Sequence, residues 1–182
     1  MFVERKCLND VSNNVSNNVF FKKNIIFLLF ILFSGVFIFG SSSSPVKAKA
    51  KREKLVESAL EYVGAPYKYG STGPKSFDCS GFTSFIIKKN LNIKLPRRSE
   101  DIYNSCHHVE KGELEIGDLV FFKASKNSGI THVGIYIGDD KFISALSDGP
   151  RTGVQVSSMN GRYWGPRFYG VGRLIPSGED DF

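Results

Sequence analysis

The sequence predicts an α+β fold in which helices come first and an antiparallel sheet follows. Apolar residues recur at helical spacing near the start of the globular part, at Leu55, Val56, Ala59, Leu60 and Val63. Further along, polar and apolar residues alternate over 132–137, and a Gly-Asp-Asp turn returns the chain at 141–145 as a hairpin. Helices followed by a run of strands favour separate layers over a parallel βαβ sheet.

Each element has its own sequence signal. The first helix ends at Gly64, and a second helix runs over 80–89 behind Asp78, a good N-cap residue. Ser99 caps a short third helix that ends near Tyr103. Strands are predicted at 118–122, 132–137, 141–145, 152–156 and 168–174.

Composition bounds the class of protein. The chain has 182 residues, enough for one ordinary domain and an extra segment, and sixteen Phe and seven Tyr argue against disorder. The net charge is +6, but the basic residues are scattered and form no stripe interleaved with aromatics, so nucleic acid is not expected as a partner. A basic surface suits an acidic polymer such as a cell wall, although it fits many other proteins equally well.

The N-terminal part indicates export. Residues 25–39 are almost wholly apolar, basic residues precede them, and serines at 41–44 follow. This pattern predicts a secretory signal peptide, with an uncleaved membrane anchor as the alternative, and both place the remainder outside the cytoplasmic membrane. The predicted division is a signal or anchor at 1–40, a linker at 41–51, a globular domain at 52–176 and a loose tail at 177–182.

The cysteines are Cys7, Cys79 and Cys106. No pair has metal-ligand spacing, so neither a metal site nor a disulfide framework is predicted. A Cys79–Cys106 bridge stays open, against the simpler interpretation of Cys106 as a small buried residue.

Cys79 is the most informative residue. A thiol in the first turn of a helix lies near unpaired N–H groups and the positive end of the helix dipole, and both favour the nucleophilic thiolate. His132, at the head of a strand, is the candidate base. Taken singly, a lone cysteine is usually packing and a lone histidine usually structural, and the sequence does not show that the two touch.

An ordered set of short motifs carries a family resemblance. The matching stretches are 64–70, 77–82, 95–99, 117–122, 132–138, 141–143 and 157–160, together with Tyr163-Trp164. In this order and spacing the chain resembles the NlpC/P60 family of cell-wall cysteine peptidases, near its Spr and NlpC members. Each motif is weak alone, but the ordered set is specific and covers nearly all of 53–175.

The resemblance implies a papain-like α+β fold, with the nucleophile at a helix start packed on an antiparallel sheet. It implies Cys79 as nucleophile, His132 as general base and acid, and Tyr67 as a residue that stabilises the oxyanion or positions substrate. Neither a metal nor an organic cofactor is implied. The proposed substrate-binding residues are Asp78, Ser80 and Arg97, with Arg98 and Arg151 as further contacts for stem-peptide carboxylates.

One position departs from the family. The third polar residue, most often histidine, falls at Ser144. Its role is to accept the proton of the second imidazole nitrogen, which fixes the tautomer and steadies the imidazolium. A serine hydroxyl is shorter and carries no charge, so a bridging water, Asp148 or another nearby group is an alternative. His107 and His108 are interpreted as solvated loop residues.

The implied activity is hydrolysis of peptidoglycan stems, typically between D-γ-glutamyl and a diamino acid. The alternatives are a wall amidase of the same chemistry with another amide target, and a weakly active or non-catalytic wall-binding protein, since Ser144 replaces the usual histidine. Peptidoglycan is the expected partner, with the cytoplasmic membrane as a second one through 25–39. The protein is expected to be an extracytoplasmic monomer, in the periplasm, cell wall or medium.

Overall fold

A computed structural model describes residues 45–125, 127–147 and 152–176. The predictions for Cys7, for the apolar segment 25–39, for Asp148, for Arg151 and for the tail 177–182 lie outside these described residues. Within the described ranges, no helix is long and apolar enough to cross a membrane.

Three α-helices precede most of the sheet: α1 (Pro45–Leu60), α2 (Cys79–Leu91) and α3 (Ser99–Asn104). Helix α1 begins earlier than predicted, so residues 45–51 are helical rather than an irregular linker. It also ends earlier, at Leu60, and turns occupy 61–64. The domain boundary at residue 52 stays a prediction.

The sheet is antiparallel and has six strands in the order β1-β6-β2-β3-β4-β5. The strands are β1 (His107–Val109), β2 (Leu119–Lys123), β3 (Ile130–Gly138), β4 (Lys141–Leu146), β5 (Gly153–Ser158) and β6 (Phe168–Arg173). The prediction missed β1, because its three residues show no alternation of buried and exposed positions. His107 and His108 are exposed, as expected, but they lie on this edge strand and not in a loop.

The sheet buries a different set of side chains on each face. The helices cover the face that carries Val133, Ile135 and Ile143, which pack with Phe82 and Ile86 of α2. The opposite face carries a smaller aromatic cluster formed by Val120, Phe122, Phe142 and Met159, with Leu114, Tyr136, Trp164 and Phe168 packed against it. The predicted alternation along β3 is therefore confirmed, since Val133 and Ile135 face the helices whereas Tyr136 faces the aromatic cluster.

A buried ionic group ties α1 to the sheet. Asp118 is fully buried and accepts hydrogen bonds from Arg52 Nη1 at 3.0 Å and Arg173 Nη2 at 2.9 Å. Arg52 also donates to the Ile175 carbonyl. A carboxylate in the interior is tolerated only when such partners replace its hydration, so this group fixes both ends of the domain against the centre of the sheet.

Candidate active site

The start of α2 presents Cys79 beside a well-capped helix terminus. Asp78 is the N-cap, with extended φ −96° and ψ 177°, and its Oδ1 accepts the Gly81 N–H at 2.7 Å. Gly81 has no room for a side chain, because a Cβ there would lie 2.1 Å from the Ser71 carbonyl oxygen. The loop that carries Tyr67 and Gly70 therefore packs directly against the helix terminus.

Asp78 connects two other predicted site residues, Ser80 and Arg97. Its carboxylate accepts hydrogen bonds from the Gly70 N–H at 2.8 Å, from both terminal nitrogens of Arg97 and from Ser80 Oγ at 3.3 Å. Arg97 Nη1 also donates to Ser80 Oγ at 2.7 Å. Burial acts to raise the pKa of Asp78, but Arg97 and the Gly81 and Gly70 N–H groups outweigh it and hold the pKa below its usual value.

A cleft of about 510 Å³ opens at this helix terminus. Its lining includes Tyr67, Asp78, Cys79, Ser80, Arg97 and Arg98, so the structure brings together most of the predicted site residues. The Tyr67 hydroxyl hydrogen-bonds Ser147, and burial followed by the nearby Cys79 and Asp78 raises the Tyr67 pKa. Tyr69, which the sequence analysis did not single out, also lines the cleft and is 87% exposed.

The helix start favours the Cys79 thiolate, as expected, but other effects outweigh it in the free protein. Burial, and then the Asp78 carboxylate, raise the pKa of Cys79 above its ordinary value of about 9. The N–H groups of Val133, Ser80 and Cys79 itself oppose this rise without reversing it. Desolvation and a neighbouring carboxylate therefore outweigh the helix terminus, and the thiol is protonated near neutral pH.

Strands β3 and β4 separate next to Cys79. Their paired register ends at Ile135 with Ile143, whereas β4 stays paired with β5 as far as Leu146. Val133 lies where the two strands part, and its N–H acts on the thiol by lowering the Cys79 pKa. Its carbonyl accepts the Ser144 hydroxyl at 2.7 Å, so Ser144 satisfies a backbone group that the β3–β4 ladder leaves unpaired.

This contact changes the interpretation of Ser144. The family pattern assigns its hydroxyl to the imidazole of His132, but in the structure the hydroxyl donates a hydrogen bond to the Val133 carbonyl. Among the hydrogen bonds of the described residues, none joins Ser144 to His132. Ser144 shares a sheet face with His132, yet its short side chain reaches the backbone of β3 and not the ring.

The imidazole of His132 lies among aromatic rings. Its centroid is 4.8 Å from that of Trp164, 6.2 Å from Phe122 and 6.3 Å from Phe142. Nε2 is buried and has no hydrogen-bond partner among the described residues. Burial lowers the pKa of His132 from about 6.5 to about 3, so the ring is neutral at pH 7.

The described contacts contain no hydrogen bond between His132 and Cys79. The two are nevertheless adjacent, since His132 precedes Val133, whose N–H meets the thiol. Trp164, the ring nearest to His132, entered the sequence analysis only as part of the family resemblance. Its contact arises from tertiary packing, which periodicity does not report.

Cys79 and Cys106 are both free, so the bridge left open by the sequence does not form. Cys106 donates to the Ile102 carbonyl, with 3.2 Å between sulfur and oxygen, and burial followed by Asp118 raises its pKa to about 12. In the described parts of the chain, no group of His, Cys, Asp or Glu is arranged to hold a metal ion.

Comparison with known proteins decides the family. The NlpC/P60 family model matches residues 64–173. The chain belongs to the NlpC/P60 family. The match spans the loop with Tyr67, the helix start with Cys79, and strands β2 to β6.

Relatives and solved structures agree with this assignment. The chain is 38% identical over 135 residues to a protein of Haemophilus influenzae named "Probable endopeptidase", which covers 74% of this chain and 80% of that protein. It is 41% identical over 121 residues to "Probable peptidoglycan endopeptidase LytE" of Bacillus subtilis, covering 66% of this chain but 34% of LytE.

A crystal structure of an NlpC/P60 family protein from Bacillus cereus superposes with a TM-score of 0.64 at 30% identity, covering 69% of this chain and 40% of that one. The predicted family, the predicted papain-like fold class and the predicted peptidase class are confirmed. The chain spans only part of the length of several of these matched proteins.

Proposed function

We propose that the protein is a cysteine endopeptidase that cleaves peptidoglycan stem peptides at the bond between D-γ-glutamyl and a diamino acid. The observation that carries the proposal is Cys79, which is free, lies at the start of α2 and lines the cleft. Relatives whose names include endopeptidase support the reaction class, and LytE supports peptidoglycan as the substrate.

His132 serves as the general base in this proposal. Nε2 is enclosed by rings, so Nδ1 is the nitrogen that takes the Cys79 proton as Sγ attacks the scissile carbonyl carbon. A sulfur–carbon bond forms and the carbonyl electron pair moves onto oxygen. Negative charge developing beside the imidazole favours its protonated form, so proton transfer accompanies the attack.

The oxyanion needs donors that are already in place. The N–H groups at the start of α2 and the Val133 N–H point toward the sulfur, and Tyr67 lines the same cleft. As the oxyanion collapses, the carbon–nitrogen bond breaks and the imidazolium protonates the leaving amine. Water, deprotonated by His132, then attacks the thioester, and the sulfur leaves and recovers its proton.

Charged residues of the cleft match the acidic stem peptide. Arg97 is 47% exposed at its side chain although it pairs with Asp78, and Arg98 lies beside it. We assign stem carboxylates to the open side of these guanidinium groups, while Asp78 and Ser80 hold Arg97 in place. Since peptidoglycan lies outside the cytoplasmic membrane, this function requires export, which the apolar segment 25–39 would direct.

Digestion of purified peptidoglycan tests the proposal. Wild type should release fragments with free diamino-acid amines and free D-γ-glutamyl carboxyl groups, identified by mass spectrometry, and Cys79→Ala should lower the rate by about 10³-fold or more. Fragments with free L-alanine amines would instead identify an amidase. No Cys79-dependent product would exclude both hydrolases and leave a wall-binding role.

A further inference from the structure

The side chain of His132 is held in a cage of three rings. The ring cage consists of Phe122 from β2, Phe142 from β4 and Trp164 from the turn before β6. Trp164 is the nearest of the three and the most nearly parallel, with 31° between the ring planes compared with 48° and 70° for Phe122 and Phe142. Since Nε2 has no polar partner among the described residues, packing sets the orientation of the imidazole.

The polar group expected to orient His132 is engaged elsewhere. Ser144 is fully buried, and its hydroxyl donates to the Val133 carbonyl at 2.7 Å. The serine oxygen could still accept a hydrogen bond, but His132 Nε2 has no hydrogen-bond partner among the described residues, so Ser144 does not take its proton. Ser144, at the position that usually carries a third polar residue, therefore hydrogen-bonds the backbone of β3.

We propose that Trp164 is the positioning residue of His132 and holds the imidazole by close packing of the two tilted rings, in place of a polar side chain at position 144. This inference rests on the proposed function, in which His132 is the base. Trp164 is itself fixed, with ring centroids 4.8 Å from Phe122 and 5.3 Å from Phe142. Packed aromatic pairs of this kind are stabilised beyond their area burial, to an extent comparable with a hydrogen bond.

Gly134 allows the ring cage to close over β3. A Cβ at this position would lie 2.5 Å from the Phe142 ring. The ring of Phe142 thus occupies the space where another residue would place its side chain, next to His132 on the same strand face.

Two charged side chains lie over rings that neighbour the ring cage. Arg167 lies over the Tyr163 ring at 4.1 Å, and Tyr163 packs edge-on against Trp164. Lys111 lies over the Phe168 ring at 5.1 Å. The ring cage itself is neutral, which agrees with the lowered pKa of His132.

The test compares four variants of the full chain: Trp164→Leu, Trp164→Phe, Phe168→Leu and Ser144→Ala. Phe168→Leu is the matched control, because Phe168 packs on Phe122 in the same aromatic cluster but does not contact His132. For each variant, kcat and KM are measured on a soluble stem peptide that contains the D-γ-glutamyl–diamino acid bond. Proton NMR follows the His132 ring resonances and their titration, and thermal unfolding confirms the folded state.

Trp164→Leu should lower kcat about tenfold or more while KM changes less than about twofold, because the loss is in general-base catalysis. It should also shift the His132 resonances and move their titration upward toward pH 6.5, as water reaches the ring. Trp164→Phe should retain most of the activity, and Phe168→Leu and Ser144→Ala should leave the His132 resonances unchanged.

Equal losses of kcat in Trp164→Leu and Phe168→Leu would overturn the inference, as would an unchanged His132 titration in Trp164→Leu. A displaced His132 titration in Ser144→Ala would return the positioning role to Ser144. The NMR readout does not depend on hydrolysis. An inactive wild type would therefore count against the proposed function alone.

Discussion

At the scale of single residues, burial has more influence on the pKa of Cys79 than the helix terminus has. Cys79 has three backbone N–H groups directed at its sulfur, yet burial and Asp78 raise its pKa. His132 lies among rings and its pKa is lowered to about 3. The free protein therefore holds a neutral thiol and a neutral imidazole, and proton transfer belongs to the reaction itself.

Asp78→Asn should lower the pKa of Cys79. Asparagine is as good an N-cap as aspartate, so the helix start is retained while the charge that disfavours the thiolate is removed. The pH dependence of iodoacetamide alkylation measures this pKa, with Cys79→Ala as the blank. A labelling curve that stays in place, or moves to higher pH, would contradict the assigned electrostatics.

His132 should also make folding stability depend on pH. Because its pKa is about 3 in the folded chain and about 6.5 in the unfolded chain, only the unfolded chain binds this proton between the two values. The stability that the neutral His132 ring contributes to the fold is fully present above about pH 6.5 and is lost as the pH falls toward 3. His132→Phe should flatten that decline in urea titrations at pH 7, 6, 5 and 4, whereas parallel curves for both proteins would contradict the burial of the ring.

At the scale of elements, the site lies where regular structure stops. Helix α2 begins at Cys79, and the β3–β4 ladder ends at Ile135 and Ile143. The N–H groups left over at both places meet the same sulfur. The reactive thiol therefore sits where two elements leave donors that hydrogen bonds within them do not use.

Gly81→Ala should destabilise the joint between α2 and the Tyr67 loop. The added Cβ would lie 2.1 Å from the Ser71 carbonyl oxygen, so the loop must move, at a cost of about 1–3 kcal/mol. Activity should fall as well, since the loop lines the cleft. Gly112→Ala is the control, because nothing lies within 4 Å of its added Cβ. Equal urea midpoints for the two variants would refute this account of the joint.

At the scale of the whole molecule, one buried carboxylate connects the ends of the domain. Asp118 in the turn before β2 bonds Arg52 of α1 and Arg173 of β6. Glu115, which is 40% exposed at its side chain, pairs with the same two arginines from the solvent side. The cleft lies on other elements, so this ionic group supports the fold from a distance.

Asp118→Ala should lower the free energy of unfolding by about 3–5 kcal/mol, because two buried guanidinium groups lose their shared carboxylate. Activity per folded molecule should stay near that of wild type. Asp139→Asn removes the charge of an exposed carboxylate 3.9 Å from Lys141 and keeps a residue that tolerates the left-handed backbone there, so it should change stability by less than about 1 kcal/mol. Comparable losses of unfolding free energy in the two variants would show that the buried carboxylate stabilises the fold no more than an exposed ion pair does.

The sequence by itself was sufficient for the family, the helix with Cys79 at its start and five of the six strands, because capping residues, turns and hydrophobic periods are local signals. It also singled out several residues that line the cleft, among them Tyr67, Cys79 and Arg97, but not Tyr69. Only the tertiary structure decided that burial raises the Cys79 pKa, that Ser144 donates to the Val133 carbonyl, and that Trp164 packs against His132. These facts depend on desolvation and on contacts between segments far apart in the chain, which no local pattern encodes.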